Sequence, residues 1–120
     1  MKIEHISTLI NGIQEFRKIT GSTPITMVNF FAPWCHWCQS LAPIYEGVAQ
    51  RVKNGPLQSV ATIAKVDCTN PVNFDVCRLN NIQAYPTIIV YVYCISTSID
   101  IFLMVLINSF IIMVLVLLML

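Results

Sequence analysis

Charged residues are scarce in this chain of 120 residues, which has seven Lys and Arg against six Asp and Glu. A net charge of +1 and the lack of a basic run give no indication of a nucleic-acid partner. A continuous apolar stretch is also missing from residues 1–20, so this segment does not have the pattern of a secretory signal. All charged residues lie at or before Asp100. The composition therefore changes sharply near residue 100.

The last twenty residues, 101–120, carry no charge, and 18 of them are apolar. As a helix they would be about 30 Å long, which matches the hydrocarbon core of a bilayer. Residues 99–120 are therefore predicted to be an apolar transmembrane helix, or else a read-through tail of non-coding or differently spliced sequence. In a third interpretation they supply an edge strand and a last helix to a globular domain. That helix would be apolar on every side.

Five cysteines occur, at positions 35, 38, 68, 77 and 94. Cys35 and Cys38 lie where an apolar run stops at Pro33 and a helical pattern begins. The unpaired N–H groups and the positive dipole end of a helix N-terminus favour the thiolate, which is the reactive form of cysteine. Cys35 is therefore predicted to be the nucleophile. Cys38, one turn further on, is predicted to resolve the mixed disulfide that forms at Cys35.

The other cysteines leave alternatives open. Cys68 and Cys77 are predicted to form a structural disulfide or to remain two buried thiols, and Cys94 is expected to be a small buried hydrophobic residue. A Cys-x-x-Cys pair is also a common zinc-binding knuckle, to which His36 could add a nitrogen. A closed zinc site needs two more ligands, and Cys68 and Cys77 lack the spacing of a second knuckle. No metal is therefore expected.

Strands and helices alternate in the predicted order of elements. β-Branched and aromatic residues predict strands at residues 25–32, 60–67 and 87–93, and a further short strand is predicted at residues 2–6. Apolar residues at helical spacing predict a helix from Ser7 to before Gly21. They predict a second helix from Cys35 to before Gly55, and a short helix follows Asn70. This alternation predicts an α/β sheet that is covered on both faces.

Four motifs follow one another through the middle of the chain. They are Phe31-Ala32-Pro33-Trp34-Cys35-x-x-Cys38, Leu41-Ala42-Pro43-x-Tyr45, Lys65-Val66-Asp67-Cys68 and Tyr85-Pro86-Thr87. With them, the chain resembles a thioredoxin-fold domain of the protein disulfide isomerase family, most closely the thioredoxin-like modules of J-domain-containing endoplasmic reticulum reductases. The resemblance implies a thioredoxin-like α/β fold over residues 1–95, with a central mixed sheet flanked by helices.

The resemblance also implies a substrate site around the two cysteines. Pro86 is expected to be a cis proline that faces them, and the backbone of Tyr85 is expected to pair with an extended segment of a protein client. Trp34 either packs beside the site or contacts the client. His36 either favours the Cys35 thiolate as an imidazolium or is an exposed spacer. Trp37, where the family has a smaller residue or proline, either offers an apolar surface to unfolded clients or only packs.

Two positions and the last segment of the chain depart from the family pattern. Asn29 lies where the family usually has an acid, buried beneath the resolving cysteine, and an amide cannot titrate near neutrality. The half-reaction that releases product is therefore expected to be slow. Gln83 replaces a frequent arginine. The family pattern is not recognisable in residues 94–120, so the fold is expected to be truncated after its fourth strand, which would impair activity.

The predicted function is that of a thiol–disulfide oxidoreductase or isomerase that acts on protein clients. It needs no cofactor beyond its own redox-active disulfide. The alternative is a non-catalytic thioredoxin-like module that binds clients, or a truncated isoform. The resemblance implies the endoplasmic reticulum lumen or membrane. Because no signal is visible, a domain held on the cytosolic side by residues 99–120 is the alternative location.

Overall fold

Four strands and three α-helices make up the part of the chain that the computed structural model describes, residues 5–93. The strands are β1 (Thr8–Leu9), β2 (Ile25–Phe31), β3 (Ala61–Asp67) and β4 (Thr87–Val92), and the helices are α1 (Ile13–Thr20), α2 (His36–Lys53) and α3 (Phe74–Leu79). A single 3-10 turn, Pro71–Asn73, leads into α3. Cys94 and the apolar segment at residues 99–120 lie outside the described residues.

The strands form one mixed sheet in the order β1-β3-β2-β4. Strands β2 and β3 are parallel, with Asn29 opposite Lys65, whereas β4 runs antiparallel to β2, with Ile88 opposite Asn29. Strand β2 thus lies inside the sheet, as its continuous apolar sequence predicts. The predicted central mixed sheet flanked by helices is confirmed.

Each face of the sheet has its own hydrophobic layer because successive residues of a strand point to opposite sides. On one side Val28 and Phe30 of β2 pack with Phe16 of α1 and Val76 of α3. On the other side Met27 packs with a row of α2 residues, Tyr45, Val48, Ala49 and Val52. We call these the α1/α3 layer and the α2 layer. The expectation of a sheet covered on both faces is confirmed.

The N-terminal elements differ from the predicted ones. The predicted helix from Ser7 begins only at Ile13, and Thr8–Leu9 instead pairs with β3 in parallel. Ile10 extends this pairing, since its N–H donates to the carbonyl of Lys65 at 2.9 Å. Leu9 is about half exposed, whereas Ile10 is fully buried in the α1/α3 layer. The prediction was wrong because the apolar spacing of this segment fits a helix locally, while its hydrogen bonds go to a distant strand.

Other boundaries are close to the predicted ones. Helix α2 begins directly after Cys35 and ends before Gly55, with Pro43 inside it. Ile44 is one of the apolar residues whose helical spacing predicts this helix, but its side chain is half exposed. The side chain of Asn70 caps the turn before α3 by accepting from the N–H of Val72, at 3.2 Å. Residues 5–93 contain no helix that is both long and apolar enough to span a bilayer.

A disulfide joins Cys68, just after β3, to Cys77 in α3. Both residues are buried in the α1/α3 layer. Asn73 lies beside this connection, fully buried. Its side chain donates to the carbonyl of Asp67 at 2.9 Å and accepts from the N–H of Gly12 at 2.8 Å. The end of β3, α3 and the start of α1 are therefore held together by one covalent bond and a satisfied buried amide.

Candidate active site

The chain changes from strand to helix within a few residues before Cys35. Proline cannot donate to a strand ladder, and β2 ends at Phe31, just ahead of Pro33. The N–H of Cys35 then donates to the carbonyl of Ala32 at 3.1 Å, which closes a turn. Cys35 itself has extended backbone angles and occupies the N-cap of α2. Its sulfur accepts from the N–H of Cys38 at 3.3 Å, in the place of a capping side-chain oxygen.

The two cysteines are free thiols with opposite electrostatic surroundings. The hydrogen bond from the Cys38 side chain lowers the pKa of Cys35; burial opposes this, and the backbone N–H groups of Cys38 and Trp37 add to it. Burial raises the pKa of Cys38, and its interaction with Cys35 raises that pKa further. The thiolate therefore forms preferentially at Cys35. This arrangement suits an attacking thiol followed by a resolving thiol.

The segment before β4 closes the site from the opposite side. The peptide bond between Tyr85 and Pro86 is cis, and the Tyr85 carbonyl lies 3.6 Å from the Cys35 sulfur, within reach of its S–H. Thr87 fixes the bend by donating from its hydroxyl to the carbonyl of Ala84 at 2.6 Å. The backbone of Tyr85 thus lies next to the Cys35 sulfur.

Aromatic side chains flank the two cysteines. Trp34 is 71% exposed, and its ring meets that of Tyr85 edge-on, with centroids 6.0 Å apart. Trp37 is 70% exposed and lies edge-on to His36, with centroids 5.4 Å apart. Of the residues that the sequence singles out, Trp34, Tyr85 and Pro86 therefore gather around Cys35. His36 and Trp37 form a separate pair on the first turn of α2.

Asn29 lies in β2 on the side of the α2 layer. It is 5% exposed, and its Oδ1 is a buried side-chain atom that has no hydrogen-bond partner among residues 5–93. Buried polar atoms are nearly always paired, so an unpaired acceptor needs an explanation.

Sequence reasoning missed Glu46, a buried carboxylate on α2. Lys65 donates to it at 2.8 Å, the N–H groups of Ile6 and Ser7 donate to it at 2.6 and 2.8 Å, and the Ser7 hydroxyl also bonds to it. Burial alone would raise its pKa, but these hydrogen bonds lower the pKa of Glu46 to about 2. The sequence signal for a buried carboxylate was a single acid next to Tyr45, among the apolar residues of α2. The network ties the N-terminal segment to α2 and β3.

Cys68 and Cys77 cannot supply the two further ligands that a zinc site at Cys35 and Cys38 would need. Cys68 and Cys77 are bonded to each other, so neither sulfur is a thiolate that could complete a site with Cys35 and Cys38. Within residues 5–93, no three side chains of His, Cys, Asp or Glu come together as a metal site would need.

Comparison with known proteins agrees with this geometry. The family model described as thioredoxin matches residues 8–95. The chain belongs to the thioredoxin family. Among curated proteins, it is 41% identical to protein disulfide-isomerase 5-4 of Arabidopsis thaliana, in an alignment of 81 residues that covers 65% of this chain. It is 42% identical over 82 residues, or 68% of this chain, to the thioredoxin domain-containing protein 5 homolog of Drosophila melanogaster. These matches span only 16% and 19% of the two relatives.

Solved structures of the family include modules of the J-domain type that the motifs resemble. The Trx4 domain of ERdj5 is 31% identical, with a TM-score of 0.62, over 77% of this chain and 75% of that domain. The J-Trx1 fragment of ERdj5 shares the fold at 23% identity, with a TM-score of 0.60, over 76% of this chain and 41% of the fragment. The predicted resemblance is therefore confirmed. Together with the Cys35 and Cys38 pair, these relatives support thiol–disulfide oxidoreductase chemistry.

Proposed function

We propose that this protein is a thiol–disulfide oxidoreductase of the protein disulfide isomerase type that acts on disulfides of protein clients. The observation that carries the proposal is the environment of the Cys35 sulfur. It caps α2, accepts the N–H of Cys38 at 3.3 Å and lies 3.6 Å from the Tyr85 carbonyl. The Cys38 side chain and the backbone N–H groups of Cys38 and Trp37 lower the pKa of Cys35. A cysteine with a lowered pKa is a nucleophile, and its neighbour is close enough to resolve the product.

The reaction proceeds in two exchanges. The Cys35 thiolate attacks one sulfur of a client disulfide, forms a bond to that sulfur, and expels the other client sulfur as a thiolate that takes up a proton. Cys38 then loses its proton and attacks the Cys35 sulfur, which expels the second client thiolate. The client disulfide is reduced by two electrons and the protein disulfide between Cys35 and Cys38 is formed. The reverse sequence oxidises a client dithiol, so no further cofactor takes part.

Client contacts are proposed for the residues that surround Cys35. An extended client segment would align with the backbone of Tyr85, next to Pro86, as an added strand. Trp34 and Trp37 offer exposed aromatic surface within two residues of Cys35 in the sequence, and His36 lies beside Trp37. Aromatic side chains contribute a large contact area to protein interfaces. The site is therefore suited to unfolded segments with apolar residues near their cysteines.

The decisive experiment follows the reduction of a disulfide-bonded model protein by the full chain in mild detergent. Cys35→Ala is expected to abolish turnover and covalent capture, whereas the matched variant Cys38→Ala is expected to accumulate the client bonded to Cys35. If the wild type has no turnover and Cys35→Ala binds clients as well as the wild type does, the protein is a binding module and the proposal fails.

The location and the domain boundary belong to the same proposal. We assign residues 1–95 to the redox domain and residues 99–120 to a segment that anchors it to the endoplasmic reticulum membrane, the compartment implied by the family. Alkaline extraction of membranes from cells that make the tagged full chain tests the anchor, with residues 1–95 alone as the control. Release of the full chain with the soluble proteins would contradict it. Protease protection then tells whether the domain faces the lumen or the cytosol.

A further inference from the structure

Asn29 presents an unmet hydrogen-bonding requirement in the middle of the fold. Among residues 5–93, its Oδ1 is the one buried side-chain nitrogen or oxygen that has no partner. The residue lies on the inner strand β2, with β3 on one side and β4 on the other. An acceptor that is buried and unpaired is unfavourable, so a donor is expected to reach it at some stage of the protein's cycle.

The position of Asn29 along β2 places it below the resolving cysteine. Asn29 shares a face of the sheet with Met27 and Phe31. Phe31 packs against Cys35 and Cys38, whereas the Met27 carbonyl accepts from the hydroxyl of Tyr45 at 3.1 Å, further along α2. Helix α2 therefore runs back over β2, with Asn29 beneath its first two turns between Cys38 and Tyr45.

The titratable groups near Asn29 on this face are engaged elsewhere. Lys65 is directly opposite Asn29 on β3, but its ammonium donates to Glu46 at 2.8 Å and to His5 Nδ1 at 3.0 Å. The Glu46 carboxylate is held by Lys65 and by Ser7.

The titratable groups nearer the cysteines contact neighbours other than Oδ1 of Asn29. The Tyr45 hydroxyl donates to backbone carbonyls of β2 and β3. Asp67, opposite Phe31 on β3, accepts from the N–H and the hydroxyl of Thr69. His36 is exposed and lies against Trp37, and Tyr85 meets the site through its carbonyl.

The second exchange of the proposed reaction depends on a proton acceptor for Cys38. The groups that act on this thiol are the Cys35 side chain and nearby backbone of Ala32 and Cys38. Once Cys35 is bonded to a client sulfur, it is no longer a thiolate that could accept the proton. The neutral amide of Asn29 cannot take the proton of Cys38. Because no other group among residues 5–93 acts on this thiol, the proton leaves to hydroxide or water.

We propose that Asn29 converts this site into one that retains its clients, because the Cys35–client disulfide persists until solvent removes the proton of Cys38. The inference rests on the proposed function and adds covalent holding to it. In the balanced step, hydroxide takes the Cys38 proton, the Cys38 sulfur bonds to Cys35, and the client sulfur leaves with the electron pair of the broken bond. A slow second exchange keeps an unfolded client attached.

A disulfide-linked dimer of one dye-labelled peptide separates the two exchanges, because each exchange releases one peptide. The full chain in mild detergent is mixed with the dimer, quenched in acid at intervals and separated by non-reducing electrophoresis. In the wild type the second release is expected to be slow and to accelerate about tenfold per pH unit between about pH 6 and 8.5, as the hydroxide concentration rises. Asn29→Asp supplies a carboxylate and is expected to shorten the lifetime of the mixed disulfide about 10- to 100-fold at neutral pH, with a flatter pH profile.

Asn29→Val is the matched control, because it fits a strand and supplies no proton acceptor. It is expected to keep the long lifetime, so a lifetime as short as that of Asn29→Asp would overturn the proposal. An unchanged lifetime in Asn29→Asp would overturn it too. If Asn29→Asp does not fold, the pH dependence of the second release in the wild type tests the proposal instead. A second release that is fast and independent of pH contradicts client retention.

The same time course separates this inference from the proposed function. Absence of the first release, in the wild type and in Cys38→Ser alike, would disprove the oxidoreductase itself. A normal first release followed at once by the second would remove only the retention.

Discussion

The two helical layers that cover the sheet are fixed by different kinds of bond. In the α1/α3 layer a disulfide between Cys68 and Cys77 joins β3 to α3. The α2 layer is held by polar contacts instead, with Glu46 bound to Lys65 and to the N-terminal segment. The layer without the covalent bond is the one that carries the free thiols Cys35 and Cys38.

Burial alone does not distinguish the two cysteine pairs. All four residues are less than 10% exposed, at 8% and 5% for Cys35 and Cys38 and at 6% and 8% for Cys68 and Cys77. The difference lies in the backbone around them. Cys35 caps the N-terminus of an 18-residue helix, where N–H groups favour its thiolate, whereas Cys77 lies within a short helix against the core. Position at a helix terminus, and not exposure, marks the reactive pair.

Removing the structural disulfide is expected to have the largest effect on stability. Replacing both Cys68 and Cys77 by alanine should lower the free energy of unfolding by about 2–3 kcal/mol, because the bridge closes a short loop in the unfolded chain. Urea unfolding in a background that lacks Cys35 and Cys38 measures this without a contribution from the active pair. A decrease in the free energy of unfolding of less than about 0.5 kcal/mol would mean that the disulfide does not stabilise the α1/α3 layer.

Acid is expected to loosen the α2 layer selectively. The pKa of Glu46 is lowered to about 2 in the folded protein, so its contribution is fully present above its unfolded pKa of about 4.5. That contribution, about 2 kcal/mol after allowance for the surface-reaching Lys65, is lost as the pH falls from about 4.5 towards 2. Unfolding free energies measured across this range should decline in the wild type. In Glu46→Gln the decline should be smaller, and an equal slope in both proteins would refute the assignment.

The sequence predicted those parts of the fold that depend on local pattern. Strands β2, β3 and β4 were found from dense apolar runs, and α2 from its buried stripe. The strand Thr8–Leu9 was missed because its pairing with Ala64 and Lys65 is set by residues more than fifty positions away. Local apolar spacing cannot report such a partner, and it indicated a helix instead.

The local pattern predicts only the covalent chemistry of the site, whereas the expectation of a cis Pro86 beside the cysteines came from the family resemblance, and the Tyr85–Pro86 bond is cis in the structure. Adjacent thiols at a strand–helix junction indicate Cys35 and Cys38, but nothing local shows that Tyr85 approaches Cys35 or that Glu46 is buried. Those contacts arise when β3, β4 and α2 pack together. The prediction for residues 99–120 stays a prediction, since this segment lies outside the described residues.

The link between the two thiols of the α2 layer can be tested by replacing one of them. Cys38→Ala removes the side-chain donor that lowers the pKa of Cys35, so alkylation of Cys35 at neutral pH is expected to slow severalfold. Cys38→Ser keeps a hydroxyl donor at the same position and should slow it less. The measurement is the pH dependence of alkylation, with mass spectrometry to locate the label. Equal profiles for the two variants would mean that the helix N-terminus alone activates Cys35.

The smallest expected effect concerns the aromatic surface beside the reactive thiols, where both tryptophans are more exposed than Phe74, which lies in the helix of Cys77 and is 49% exposed. Trp37 is 70% exposed and contacts His36, whereas Trp34 also packs on Tyr85 beside the Cys35 sulfur. Trp37→Ala is therefore expected to raise KM for an unfolded protein client about two- to threefold, through lost apolar contact, and to leave kcat and the rate with a small disulfide unchanged. Trp34→Ala should impair the reaction with both the protein client and the small disulfide, because its loss also removes the ring that packs on Tyr85 beside the Cys35 sulfur. If Trp37→Ala leaves KM for the protein client unchanged, Trp37 only packs against His36, and client recognition rests on Trp34 and the Tyr85 backbone.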